Sequence, residues 1–121
     1  MKTILVVDDQ QEIRDLVEVT LRVSDFKILK ASTGEEAINL AKKENPDLII
    51  MDIMMPGRID GLEATRILKA DEKTKNCTIL MLTAKGQKID LEAGDIAGAD
   101  EYFVKPFSPL ELIRKVEKIL E

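Results

Sequence analysis

Residues 48–61 read LIIMDIMMPGRIDG. Leu48, Ile49, Ile50 and Met51 form an unbroken apolar run, far too short to span a membrane and without the alternation of a strand that has one wet face. Such a run suits a strand covered on both sides, as in a parallel sheet flanked by helices. Directly after it stands Asp52, a carboxylate followed by more apolar chain. An aspartate often ends a strand and opens a loop, so the meaning of this one depends on what the rest of the chain places around it.

Similar runs recur: ILVV at 4–7, ILML at 79–82 and the weaker YFV at 102–104. KILKA at 27–31 alternates instead and reads as an edge strand. Helical patterns lie between them. Ile13, Leu16, Val17, Thr20 and Leu21 fall on one helix face. A second helix starts near Ser32 or Thr33, with Glu35 or Glu36 as capping partner, and Pro46 closes it. A third runs from an Asp60 cap through Leu62 to Leu68, and a weaker one covers 88–97, interrupted by Gly94 and stopped at Gly98. The last carries Ser108, Pro109 and Glu111 as cap, first-turn proline and box partner, ahead of a stripe of Leu112, Ile113, Val116, Ile119 and Leu120. Strand and helix alternate five times, which predicts an α/β fold: a doubly wound, five-stranded parallel sheet with right-handed crossovers. Its common strand order is 2-1-3-4-5, with a ligand crevice between strands 1 and 3.

Composition narrows the chemistry. The 121 residues, 45% hydrophobic and 34% charged, suit one domain over residues 1–121 with a core that needs no disulfide or metal staple. ILVV runs straight into Asp8 and Asp9, too short for a signal peptide, so a cytoplasmic location is expected. One cysteine, Cys77, and no histidine exclude an internal disulfide and the usual zinc clusters. A bound metal would have to be a hard cation held by oxygen. The formal charge of −5 offers no general attraction to nucleic acid or anionic lipid, so neither is an expected direct partner.

The polar residues at the strand ends then converge. Asp8 and Asp9 follow the first strand, Asp52 the third, Thr83 the fourth and Lys105 the fifth, and all belong to one edge of a parallel sheet. Each has a structural alternative: a helix cap for an aspartate, a backbone-bonded hydroxyl for Thr83, a solvated cation for Lys105. Their meeting in the expected crevice favours chemistry. Carboxylates ~4–6 Å apart oppose one another's ionisation, so a proton or a cation must sit among them. Mg²⁺ is the first candidate, with Mn²⁺ or Ca²⁺ tolerated. A lysine and a hydroxyl nearby can bind phosphoryl oxygens, and one aspartate can act as nucleophile. No GxGxxG or GxxxxGK[ST] follows the first strand, and the acidic VDDQQ would repel a nucleotide phosphate. The DxDxT pattern of haloacid-dehalogenase phosphatases needs a second acid where Met54 stands. An FMN carrier is disfavoured by the acidic crevice and by an aromatic content of 3%.

VVDDQ, LIIMDIMMPG, LTAK and DEYFVKPF, in this order and over essentially the whole chain, resemble the receiver domain of bacterial two-component response regulators. The resemblance implies a flavodoxin-like (βα)5 fold and a phosphorylation-controlled switch that turns over no metabolite. Asp52 would be the phospho-acceptor, charged by a sensor histidine kinase or a phosphotransfer protein. Asp9, Asp52 and the backbone carbonyl of Met54 would hold Mg²⁺, with Asp8 helping directly or through water. Lys105 would pair with the phosphoryl group, its bond to Pro106 cis, and Thr83 and Tyr102 would form the switch pair. Met54 and Lys85 would flank the phosphate and tune its lifetime. The changed surface would comprise the 88–97 helix, the fifth strand and the last helix, acting on a downstream effector or fused output domain and compatible with a phosphorylation-dependent homodimer. A phosphate-independent interaction module is the competing reading. One departure stands out: the usual DxxMPxxDG is one residue longer here between Pro56 and Asp60, and its Arg58 has no standard role. A complete regulator ending at Glu121 and a receiver belonging to a longer protein both fit.

Overall fold

The apolar runs become the strands of one sheet. The computed structural model describes residues 1–84 and 97–121. Strands β1 (Lys2–Val7), β2 (Phe26–Ala31), β3 (Leu48–Asp52), β4 (Thr78–Ala84) and β5 (Glu101–Lys105) pair in parallel in the order β2-β1-β3-β4-β5. The expected order therefore holds. KILKA lies in β2 at one edge, and every residue of β3, which lies in the middle, is buried.

The unbroken apolar pattern has a direct cause. Successive side chains of a strand point to opposite faces, and here each face feeds its own core. Ile4, Val6, Leu48, Ile50, Leu80 and Leu82 meet Val17, Leu21, Leu112 and Val116 on one side. Leu5, Val7, Ile49, Met51, Ile79 and Met81 meet Ala37, Ala41, Ala64 and Leu68 on the other. Burying one such Ile or Leu contributes roughly 1.5–3 kcal/mol, so both layers hold the strand ends in place.

The covering helices are α1 (Gln11–Leu21), α2 (Gly34–Glu44), α3 (Gly61–Ala70) and α4 (Pro109–Leu120); α1 packs with α4 and α2 with α3. The capping signals work largely as the sequence suggests. Ser108 Oγ accepts the Glu111 N–H at 3.2 Å while the Ser108 N–H donates to Glu111 at 3.4 Å, closing the box at α4. Asp60 caps α3 by accepting the Glu63 N–H at 2.9 Å. At α2 the cap is Thr33, and Glu36 turns back to accept the Ser32 N–H at 2.7 Å. Asn45 ends α2 in the left-handed region, just before Pro46. Residues 88–96 of the helix expected over 88–97 lie outside the described residues; Gly98, its expected stop, has φ +100°.

Three expectations about the strand ends need correction. Asp52 and Lys105 are the last residues of β3 and β5, and Thr83 lies inside β4, whereas the sequence places all three after their strands. The pairing ladder continues to them, with Asp52 opposite Leu82 and Lys105 opposite Ala84. The polar residues are thus held by sheet hydrogen bonds as well as by loops. No helix among the described residues is long and apolar enough to cross a membrane.

Candidate functional site

β1 and β3 are neighbours, yet β1 also pairs with β2 on its other side, so the chain leaves the two central strands in opposite directions. A crevice opens at such a switch point, beyond the carboxyl ends of the strands. Asp8 stands immediately after β1 and is fully buried. Asp52 at the end of β3 is 7% exposed, and Asp9 is exposed at the rim. The three carboxylates offer oxygens that all lie within 4.8 Å of one another.

Lys105 reaches into this cluster from the end of β5. Its Nζ donates to Asp52 Oδ1 at 3.1 Å and to Asp8 Oδ2 at 3.2 Å. The other oxygen of Asp8, Oδ1, accepts the Gln10 N–H at 2.9 Å. Neither Asp8 nor Asp9 caps α1: the cap position is Gln10, and its side chain makes no capping bond. The structural role open to the two aspartates as helix caps is therefore not the one they fill.

Three carboxylates against one ammonium leave the electrostatics unbalanced. Burial, followed by the charge of Asp8, pushes the Asp52 carboxyl above the ordinary range, outweighing the opposing pull of Lys105. Burial drags the Lys105 ammonium down, but Asp52 and Asp8 together outweigh it and hold it above the usual lysine range. An added cation would relieve this imbalance. Its donors are hard carboxylate oxygens alone, with no nitrogen or thiolate, a set that fits Mg²⁺.

The remaining residues surround this centre. Thr83 is 2% exposed, and no side-chain hydrogen bond holds its hydroxyl among the described residues. Met81 pairs with Tyr102 and Thr83 with Val104, so Thr83 and Tyr102 stand on the same face of the sheet, and Tyr102 packs against the core on that side. The Lys105–Pro106 bond is cis. Met54 lies two residues past Asp52 with its side chain 72% exposed. Lys85 lies outside the described residues.

Two further residues hold the site and escape a reading by pattern. A Cβ on Gly61 would stand 1.9 Å from the carbonyl oxygen of Asp52, so α3 begins against the backbone of Asp52, and the Gly61 N–H donates to Ile53 at 3.0 Å. The DG pair in the sequence signals the turn but not this contact. Arg14 Nη1 donates to the carbonyl oxygen of Asp8 at 2.6 Å. Its only signal is a cation five residues after Asp9, which is too common to be read.

Residues 4–117 match the response regulator receiver domain family. The phosphate regulon transcriptional regulatory protein PhoB of Pseudomonas aeruginosa is 42% identical over 119 residues, covering 98% of this chain and 52% of that protein. The chain spans about half the length of the curated relatives it matches. A putative response regulator from Chloroflexus aurantiacus superimposes with a TM-score of 0.92 at 39% identity, covering 98% of this chain and 97% of the other. The receiver domain of the sensor histidine kinase PA1611 from Pseudomonas aeruginosa, whose structure holds a magnesium ion in the active site cleft, superimposes at 0.89 with 31% identity, covering 99% and 98%. By sequence and by fold together, this chain belongs to the receiver-domain family of two-component response regulators.

Proposed function

We propose that Asp52 is the phospho-acceptor of this receiver domain, charged by the phosphohistidine of a sensor histidine kinase or a phosphotransfer protein. One observation carries the reading: a buried Asp52 shares Lys105 with a second buried acid, Asp8, with Asp9 beside them. An Asp52 carboxylate oxygen attacks phosphorus, the P–O bond forms as the P–N bond to imidazole breaks, and the departing imidazole takes up a proton. Loss of the group follows by attack of water on phosphorus and release of the carboxylate. The transfer step needs Asp52 ionised, which burial and the neighbouring acids oppose and Lys105 favours.

Asp8, Asp9, Asp52 and the backbone carbonyl of Met54 would hold Mg²⁺, or Mn²⁺ or Ca²⁺ in its place. The cation supplies neutralisation of charge on the transferring phosphoryl oxygens. Lys105 pairs with a phosphoryl oxygen, and the buried Thr83 hydroxyl donates to another. Movement of Thr83 leaves space on the sheet face it shares with Tyr102, and Tyr102 turns to fill it. The group adds charge and acceptor oxygens, and a shift from rare to dominant active state takes ~5 kcal/mol, within reach of a few charge-assisted bonds. The altered surface, on β5, α4 and the segment between β4 and β5, then acts on an effector or fused output domain and supports a phosphorylation-dependent homodimer. Met54 and Lys85 set how long the phosphate lasts.

The test is phosphorylation with acetyl phosphate and Mg²⁺, read by intact mass. Wild type gains one phosphoryl group; Asp52→Asn gains none. Equal gain by both, or none by wild type, overturns the assignment, and the latter outcome would favour a phosphate-independent interaction module.

A further inference from the structure

The acidic cluster contains two residues held very differently. Asp8 is fixed on every side: its N–H donates to the Ala31 carbonyl at 3.2 Å, and its carboxylate receives Gln10 and Lys105. Asp9 has an exposed carboxylate that makes no hydrogen bond or ion pair among the described residues. Only its main chain can aim it at Asp8 and Asp52. That main chain begins at the peptide joining Asp8 to Asp9, whose carbonyl oxygen accepts Arg14 Nη1 at 2.6 Å.

Arg14 is an unusual owner of this bond. Acids stand near it on α1, including Asp15 and Glu18, yet its side chain makes no ion pair among the described residues. Its guanidinium is instead committed to a neutral carbonyl in a half-buried position. A charge-assisted bond to a carbonyl limits rotation of the peptide plane. Since that plane leads directly into Asp9, restraining it restrains the direction of the Asp9 carboxylate.

We propose that Arg14 is a positioning residue for cation binding: by gripping the Asp8 carbonyl it orients Asp9 toward Asp8 and Asp52. The inference rests on the reading above that the three acids bind a divalent cation. It has a distinctive sign. Coulomb's law alone says that removing a positive charge near three carboxylates strengthens cation binding. Positioning says the opposite, because an outer partner that orients a metal ligand commonly contributes about tenfold in affinity.

The measurement is calorimetric titration of the full chain with Mg²⁺ alone, alongside thermal unfolding without metal to establish that each variant is folded. Arg14→Met should bind Mg²⁺ roughly tenfold more weakly than wild type. Arg14→Lys, which keeps a donor and the charge, should recover most of the loss. Lys30→Met, the same charge change on a residue committed to Glu18 and Asp15, should leave affinity unchanged or slightly tighter. In an Asp9→Asn background, Arg14→Met should have no further effect, since Asp9 is the group it acts through. If Arg14→Met binds as tightly as wild type or tighter, or weakens the Asp9→Asn variant by the same factor, the positioning role is overturned. An Arg14→Lys variant that binds Mg²⁺ roughly tenfold or more weaker than wild type overturns it too, and this outcome is readable even where the methionine variant does not fold. Absence of saturable Mg²⁺ binding by wild type would instead remove the cation reading on which the inference rests.

Discussion

The two ends of the sheet both carry partly buried charge, and they use it in opposite ways. At the end where the strands begin, Lys69 Nζ meets Asp100 at 2.6 Å and the Cys77 and Lys75 carbonyls at 2.7 and 3.3 Å. Asp100 also accepts the Ile79 N–H at 2.8 Å, and Asp47 accepts the Thr3 N–H at the same distance. Lys69 and Asp100 are matched one to one, and the remaining capacity of both goes to the backbone. Where the strands finish, Lys105 faces Asp8 and Asp52, with Asp9 close by. A matched group of this kind staples loops to strands; an unmatched one holds stored repulsion that a ligand can relieve.

That contrast can be broken by experiment, and the largest effect belongs to Gly61→Ala. Its Cβ would meet the Asp52 carbonyl at 1.9 Å, so either α3 or the end of β3 must shift, at a cost of about 3 kcal/mol in stability. Denaturant unfolding measures the loss, and a variant as stable as wild type would show that the acidic end is not sterically set. Next, Lys69→Met should lower stability by about 2 kcal/mol, discounted for partial exposure of the pair, because it strands Asp100 and two carbonyls. Phosphoryl uptake should be unaffected, and impaired uptake would mean that the two ends are coupled.

Asp52→Asn should act with the opposite sign. Without metal at neutral pH it removes repulsion and should raise the unfolding midpoint by a few degrees. The pH dependence follows from the raised Asp52 carboxyl. Between the ordinary carboxylate value and the raised one, the folded chain holds the proton that the unfolded chain has released, so wild-type stability falls as pH rises through that window. The advantage of the asparagine variant should therefore grow across it and vanish at lower pH. A constant advantage would assign it to something other than ionisation. Lys105, raised by the same acids, adds stability that is complete below the unfolded lysine value and disappears as pH climbs through its folded one. The smallest effect is expected for Arg58→Ala, within about 0.5 kcal/mol of wild type, since Arg58 is exposed and makes no hydrogen bond or ion pair among the described residues.

Much of this is legible in the sequence. The unbroken LIIM run declared a strand buried on two faces, and the alternating KILKA declared an edge. The residues ending the strands could be assigned to one side of the sheet because parallel strands share a direction. The extent of each strand was less legible: nothing local in Asp52 or Lys105 says that the ladder reaches them, because their neighbours across the sheet decide it. Arg14 and Gly61 were hidden for a related reason. Their roles consist of contacts with main-chain atoms of Asp8 and Asp52, and main-chain atoms carry no sequence signal.

The long turn after Asp52 now has a different significance. Met55 is buried, and at the far side a Cβ on Gly34 would collide with Ile59, so the turn is clamped at both ends. Between the clamps Pro56, Gly57 and Arg58 are exposed, and Gly57 takes φ +105° with open space around it. Length added there goes outward and leaves Asp52 where it is. Descendants of this chain are therefore free to rewrite that outer arc, and with it whatever reads the arc, without renegotiating the chemistry beneath.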